Sequence, residues 1–573
     1  MDQSYTLSIR RISLLPNSLL YANDAMLTQS SPVTYKPTEE QTAIIDAVGR
    51  HQVVAGQAFA GTGKTSTGVA AAHTHSDMRT LVLCFNTANA IEGKARYPAS
   101  ATVVTTHGLA YQALDADRRA RLAPNWNVVT IKNELRAFGV REDYALASMV
   151  QGVLLDYFQS SDKIIEPGVH GRAVFTRLNA SDMSIRKAGD LAKQFWAAMQ
   201  TKDTVDGLKS SVNTVRIPHD AYLKQFSLNP TNWGYDLIIF DEAQDANPVT
   251  LGMLEQQMAA GAHLLYLGDR HQAIYDFRGA VNAMERLPKG AVTLPLTQSW
   301  RFGRDTAYVA NLLLQDLKGE TNSIIGLGED RPFDESKPYT RLSRTNADLL
   351  AFAVAKSGND TEETATRIEW VGGVERYRVD MLNDLYKMYS GKPMSEVSDP
   401  YLSRHFKSWG DYLEAAKYDP EAKLMSELVG QYNDKIPVMV ERMKQNQSSL
   451  EEGARYCVTT GHKSKGLEWN QVMLADDFKA PLEQAEAWLS NSTKAAFPEA
   501  EVNLLYVMAT RARHALKENH ELEDWRKSIQ SHRTKRVRQY NTSEDHGKAG
   551  KDDRPARRHP GALRFGSIKP LRI

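Results

Sequence analysis

A chain of 573 residues with 42% hydrophobic and 24% charged residues and a net charge of +1 is long enough for several domains and can bury a large core. Its two cysteines, Cys84 and Cys457, lie far apart, which excludes a disulfide framework or a readable zinc site and suits a reducing compartment. No apolar run reaches the roughly 18–20 residues that span a bilayer, so no membrane partner is expected, and the expected location is the cytoplasm, with nucleoid association in a bacterial host.

Taken in order, Arg10-Arg11 before Ile12-Ser13-Leu14-Leu15 has the outline of a twin-arginine export signal, but Pro16 and Asn17 interrupt its apolar part. Residues 1–34 are read as an N-terminal arm. Thr38 to Gln41 then opens a helix with Ile44, Ile45 and Val48 on one face, and Thr38 with Gln41 has the form of a capping box. Val53-Val54 leads into Gln57-Ala58-Phe59-Ala60-Gly61-Thr62-Gly63-Lys64-Thr65-Ser66, followed by an Ala-rich helical segment from Val69. A strand, a glycine-bearing turn and a helix start form the context of a phosphate-binding loop. The glycines let successive backbone N–H groups converge at a helix N-terminus, where the dipole favours an anion. Residues Ala60 to Ser66 are therefore expected to hold a nucleotide, with Lys64 on the outer phosphates and the Thr65 hydroxyl on Mg²⁺. The first glycine of the usual pattern is Ala58 here.

Thr80–Phe85 reads as a buried parallel strand with Asn86-Thr87 at its C-terminal edge, and Thr102–Thr106 as another that ends in His107-Gly108. Ligands meet open α/β sheets at such edges. From Tyr111 to about Leu228 the texture turns helical, with core stripes at Leu146, Met149, Val150, Val153, Leu154, Tyr157 and Phe158, and at Leu191, Phe195 and Met199. The sheet resumes at Tyr235–Phe240 and delivers Asp241-Glu242-Ala243-Gln244-Asp245. Asp241 is placed on Mg²⁺, and Glu242 is placed to orient and deprotonate an attacking water. Leu264–Asp269 is a third strand, and Arg270 to Ala280 interleaves aromatics with a cation as a stacking surface for unpaired bases does. His263 and His271 are read as structural.

Leu294-Pro295-Leu296-Thr297-Gln298-Ser299-Trp300-Arg301-Phe302 is expected to open a second α/β domain. Its strands are placed at 341–344, 368–371, 456–460 and 471–475, and 377–447 is read as helical. From Arg526 onward fourteen Lys/Arg face four Asp/Glu, so the tail carries +10 and the rest of the chain about −9. That composition argues disorder, and contact with nucleic-acid phosphates or simple solubilisation accounts for it equally well. The expected division is an arm at 1–34, a first α/β domain at 35–110 and 229–292 with a helical insertion at 111–228, a second at 293–376 and 448–525 with an insertion at 377–447, and a tail at 526–573.

With the Asp241–Asp245 and Gln272–Ala280 blocks, Gly461-His462-Lys463-Ser464-Lys465-Gly466-Leu467-Glu468-Trp469 and Asn503–Arg513 in view, the chain resembles superfamily 1 DNA helicases of the UvrD/Rep type. It is most similar among them to the helicase part of the F-box DNA helicases, over roughly residues 35–520. The resemblance implies two RecA-like P-loop domains with parallel sheets, each carrying a mainly helical insertion. It also implies an ATP- and Mg²⁺-dependent helicase or translocase that moves 3′→5′ on single-stranded DNA.

By the same resemblance Gln41 reads the adenine, Trp300 stacks on it, Arg301 and Arg511 touch the γ-phosphate, Gln272 links that phosphate to the DNA-facing loop, and Glu468 lies near the ribose. Phe85, Asn86, His107, Phe277, Arg278, Arg344 and His462 form the DNA-facing set, with core packing the alternative for Phe85 and Phe277 and an ordinary ion pair the alternative for Arg278 and Arg344. Tyr506 is read as packing. Phe277 stands where the family more often has Trp, Trp300 where it has Tyr, and the block after Phe85 lacks the usual Lys. Neither an F-box before Gln41 nor a nuclease-like acidic cluster after Arg513 is readable. The expected partners are single-stranded DNA and its junctions with duplex, extending to recombinase filaments or single-strand-binding protein, with the chain a monomer in solution. A translocase that strips bound proteins with little unwinding is the alternative, and a non-catalytic DNA-binding protein is a third reading.

Overall fold

The computed structural model describes residues 36–123, 126–141, 143–201, 215–229, 231–275, 279–357, 366–417, 420–478 and 499–527. The N-terminal arm and nearly all of the basic tail lie outside the described residues, as do Phe277 and Arg278.

Two parallel sheets organise the molecule. The first contains β1 (Val53–Ala58), β2 (Thr80–Cys84), β3 (Thr102–Thr105), β4 (Leu237–Asp241), β5 (His263–Gly268) and β6 (Val292–Leu296), in the order β3-β2-β4-β5-β1-β6. Helices cover both of its faces, which is why its central strands read as unbroken apolar runs. On one face α1 (Glu39–Val48), α2 (Lys64–Thr74) and α3 (Thr87–Arg96) bury Ile44, Ala71 and Tyr97 against Val54, Val82, Ile239 and Leu265. The other face packs Leu81, Ile238, Phe240 and Tyr266 against Leu254 and Met284.

This strand order brings three motifs side by side. β4, β5 and β1 are neighbours, so Asp241-Glu242, Asp269 and the phosphate-loop residues emerge together at one carboxyl edge. β2 and β3 follow on the same edge with Phe85 and, at the start of α4 (Thr106–Gln112), His107. This is the edge where open α/β sheets meet ligands.

Residues 292–296 correct the expected boundary. Rather than opening the second domain they add β6 to the first sheet, parallel to β1, with Pro295 opposite Gln57. An edge strand tolerates a proline because its missing N–H can face away from the ladder. The two-residue strands β7 (Gln298–Ser299) and β8 (Ile325–Gly326) pair next. They are followed by the second sheet, made of β9 (Tyr339–Ser343), β10 (Ile368–Trp370), β11 (Tyr456–Thr460), β12 (Trp469–Leu474) and β13 (Ala512–Lys517) in the order β10-β11-β9-β12-β13. Sequence reading missed β13 because Ala-Arg-His-Ala-Leu-Lys is a charged edge strand with no apolar run.

Both stretches between strands are helical. The stripe from Leu146 to Phe158 is buried along the helix Tyr144–Gln159, and Leu191, Phe195 and Met199 lie in the same core. Between Asp380 and Gln445 several helices pack against β10 and β11. One further core joins Phe59, Ala60 and Ile274 of the first domain to Phe302, Leu505 and Tyr506 of the second, so the two domains share apolar contact beside the cleft.

Candidate nucleotide cleft and nucleic-acid face

The loop after β1 requires its glycines. Gly61 (φ +73°) and Gly63 (φ +82°) adopt left-handed backbone. A Cβ on Gly61 would fall 2.5 Å from Arg301 Cβ and Ser299 Oγ, and one on Gly63 2.8 Å from Gln41 Nε2. Thr62 Oγ1 donates to the Phe59 carbonyl at 2.8 Å and fixes the turn. At the start of α2, Lys64 Nζ lies 3.5 Å from Glu242 Oε1, and Thr65 Oγ1 donates to Asp241 Oδ2 at 3.1 Å. Ser66 Oγ accepts from Arg96 at 2.9 Å. Gln41 is buried against the loop and closes the expected capping box: its Oε1 accepts from Thr38 N at 3.0 Å, and its own N–H donates to Thr38 Oγ1 at 3.2 Å.

The acid pair is differentiated by its surroundings. Burial, reinforced by the charge of Glu242, raises the Asp241 carboxyl above its ordinary range. Burial pushes Glu242 the same way, but Lys64, Lys465 and a hydrogen bond from Gln244 outweigh it and hold that carboxyl low and ionised. Glu242 sits at φ +54°, a left-handed conformation that costs a non-glycine residue about 1–3 kcal/mol and persists where the surroundings impose it. Gln244 imposes part of it, since its amide donates to Glu242 Oε2 while its Oε1 accepts from Asp269 N at 3.0 Å. Asp245 pairs with Lys465, yet burial lifts its carboxyl to about 6.

The second sheet supplies cations. Arg511, at the end of the helix Glu499–Ala509, is 1% exposed. It donates to the carbonyls of Val507 at 2.8 Å and Leu467 at 3.2 Å, and reaches Gln272 Oε1 at 3.5 Å. Burial and the facing Arg301 guanidinium pull it down to about 9. Arg301 pairs with Glu468 at 2.7 Å. Trp300, 48% exposed, donates its backbone N–H to the Gly61 carbonyl at 3.2 Å. Two guanidinium groups that repel each other, Lys64 opposite them, a glycine cradle and the unpartnered buried Ser299 Oγ form a cleft suited to a polyanion. The Thr65 and Asp241 oxygens fit a Mg²⁺, which is commonly held by one or two carboxylates plus phosphates. Among the described residues no cluster of three or more His, Cys, Asp or Glu is arranged to hold a metal, and no helix is long and apolar enough to cross a membrane.

A second surface lies beside the cleft. Phe85, 40% exposed, stacks on Tyr275 with ring centres 5.7 Å apart and planes 11° from parallel. Tyr275 also leans on His462 at 6.5 Å and donates its hydroxyl to the His462 carbonyl at 3.2 Å, while Lys465 Nζ lies 5.1 Å from its ring centre. A cavity of about 280 Å³ opens here, lined by Tyr275, Gly372, Arg376, His462, Lys463 and Lys465. Lys463 lies over the Tyr377 ring at 3.4 Å, and burial together with Arg376 lowers it to about 8.

Sequence reasoning missed Tyr275 as the central ring. Its only signal was membership of the aromatic stretch that also holds Phe277. Lys463 and Arg376 were missed as well. His107 stands at the same sheet edge, paired with Asp220 at 3.0 Å and edge-on to Tyr222. Asn86 is occupied as the N-cap of α3, accepting from Asn89 N at 2.8 Å. Arg344 forms the ion pair that is the alternative to its DNA-facing role. Both ends of its guanidinium bond Glu501 at 2.6 Å, and its backbone N–H donates to Asp477 Oδ2 at 2.8 Å.

Two parallel sheets with a glycine-cradled phosphate loop and strand-end acids on one, and arginines facing them from the other, define a protein built from two RecA-like P-loop domains. Family comparison places it more narrowly. The UvrD/REP helicase N-terminal domain matches residues 37–285, so the first α/β domain with its helical insertion is similar to that family. It is 30% identical over 528 residues to F-box DNA helicase 1 of Gallus gallus, covering 86% of this chain and 50% of the relative. It is 28% identical over 530 residues to F-box DNA helicase protein 1 of Schizosaccharomyces pombe, covering 85% of this chain and 57% of the relative. The chain thus spans little more than half the length of these curated relatives.

Proposed function

We propose that the chain is an ATP-driven DNA helicase that translocates 3′→5′ on single-stranded DNA. The observation that carries this is the meeting of Lys64, Glu242 and Gln272 from the first sheet with Arg511 from the second in one cleft. In this reading Gln41 and Trp300 hold the base, Glu468 lies by the ribose, and Ala60 to Ser66 cradle the phosphates. Thr65 and Asp241 would hold Mg²⁺, which would supply positive charge to the phosphates.

Glu242, kept ionised by two lysines, orients a water and accepts its proton. Arg301 and Arg511 stabilise the charge that develops in the transition state, an effect worth about 10³–10⁵ in rate for an arginine finger. Gln272 lies three residues before Tyr275, so a change in the cleft is passed to the aromatic ladder. Each base–aromatic stack contributes about 1–3 kcal/mol, comparable with the mean of about 1.4 kcal/mol for one duplex step.

The domains at 35–110 with 229–292 and at 293–376 with 448–525 act as the two motor halves, with β6 moved into the first. The polarity rests on the likeness of the Gly461–Glu468 block to 3′→5′ members. Forked duplexes with a 3′ or a 5′ overhang test it. Unwinding from the 3′ overhang alone is expected, and unwinding from the 5′ overhang would overturn it. Displacement of a recombinase filament without fork unwinding would instead make the chain a strand-clearing translocase.

A further inference from the structure

The buried hydroxyl of Tyr506 has a use that packing does not explain. Tyr506 lies on the second domain's helix Glu499–Ala509 and is fully buried, but its OH reaches across to the first sheet. It donates to Asp269 Oδ2 at 2.9 Å and accepts the N–H of Ala60, inside the phosphate loop, at 3.0 Å. The same Asp269 oxygen accepts from Gln272 Nε2 at 2.8 Å, while Oδ1 accepts from His271 N at 3.0 Å. Burial, with the Asp269 charge beside it, holds the Tyr506 phenol protonated, which keeps it a donor. One turn away Asn503 donates to the Ala273 carbonyl at 2.8 Å, so this helix grips residues 269–273 at two points before it presents Arg511.

We propose that Tyr506 is a positioning residue: its hydroxyl, through Asp269, locks the phosphate loop, Gln272 and the arginine-bearing helix into one register, so that Gln272 and Arg511 face the cleft only when the two domains are closed. This rests on the motor reading above and adds to it a device by which closure is sensed at the loop itself. A phenylalanine keeps the ring and removes only the relay.

Two measurements on Tyr506→Phe in the full chain test it. The first is amide hydrogen exchange without nucleotide. Residues 57–63 and 269–275 are expected to exchange together about tenfold faster, with strands β2 and β4 unchanged. Exchange that is unaltered in both segments, or raised throughout the chain, overturns the relay. The second is DNA-stimulated ATP hydrolysis. The kcat is expected to fall about tenfold with the KM for ATP within about twofold, and the same substitution in a Gln272→Ala background to cost less than about twofold more. An equal loss in both backgrounds assigns Tyr506 to packing and overturns the proposal. Should Tyr506→Phe not fold, Asp269→Asn weakens the same relay and is read in the same two ways. A wild-type chain that hydrolyses no ATP would remove the motor reading, while the exchange measurement still decides the relay.

Discussion

In the nucleotide cleft Arg511 is 1% exposed and Asp241 is 6% exposed, whereas on the neighbouring face Phe85 is 40% exposed and stacks on a single tyrosine. Both sets of residues sit at carboxyl ends of adjoining strands or on the facing domain. The cleft groups are held by directional bonds: Arg511 by two carbonyls, Glu242 by the Gln244 amide and Gln272 by Asp269. Among the described residues, the neighbouring face is built from stacked rings with cations beside them. Hydrolysis needs charges placed before the reaction, since stabilisation comes from dipoles that do not reorganise. A stacking track must instead accept any base and release it, which flat rings allow. The contrast therefore separates a preorganised site from a permissive one.

That contrast breaks most visibly at the cations. Arg511→Ala should lower DNA-stimulated kcat by about 10⁴-fold, because its charge acts in a dry cleft. A loss below about tenfold in steady-state turnover would mean that the cleft does not close on it. Glu242→Gln keeps shape and removes the base, with an expected loss of about 10³-fold in kcat and little change in ATP binding by equilibrium titration. On the permissive face the effects should be smaller. Tyr275→Ala should weaken single-stranded DNA roughly ten- to hundredfold in fluorescence anisotropy, the loss of one stacking platform.

Much of the cleft was readable because its chemistry constrains spacing. Gly61-Thr62-Gly63-Lys64-Thr65 and Asp241-Glu242 announce themselves after apolar strands. Arg301, Arg511 and Glu468 could be placed only through family likeness, since a lone arginine after a helix carries no local signal. Tyr506 was read as packing because it lies in a largely apolar run; every residue from Val502 to Ala509 is indeed buried, and such a helix hides a polar contact. Tyr275 was overlooked for Phe277, which lies outside the described residues. β6 and β13 were misread because edge strands carry proline and charge, features that central strands exclude.

Lys463, lowered to about 8, is charged below that pH and loses its charge above it. DNA affinity should therefore fall several-fold between about pH 7 and 9, and Lys463→Arg should flatten that dependence in the same anisotropy assay, because arginine stays charged. Arg344→Gln should cost about 1 kcal/mol in thermal unfolding by breaking its partly exposed pair with Glu501, and should leave DNA affinity within about twofold. A large loss of DNA affinity there would return Arg344 to the nucleic-acid face.

The proposed motor requires one triphosphate held between two domains and hydrolysed in response to DNA. Steady-state ATP hydrolysis with and without single-stranded DNA, for the wild-type chain and for Lys64→Ala, tests it most directly. Turnover that rises with DNA in the wild type and is lost in Lys64→Ala is the predicted result. DNA-stimulated turnover that survives Lys64→Ala would contradict it.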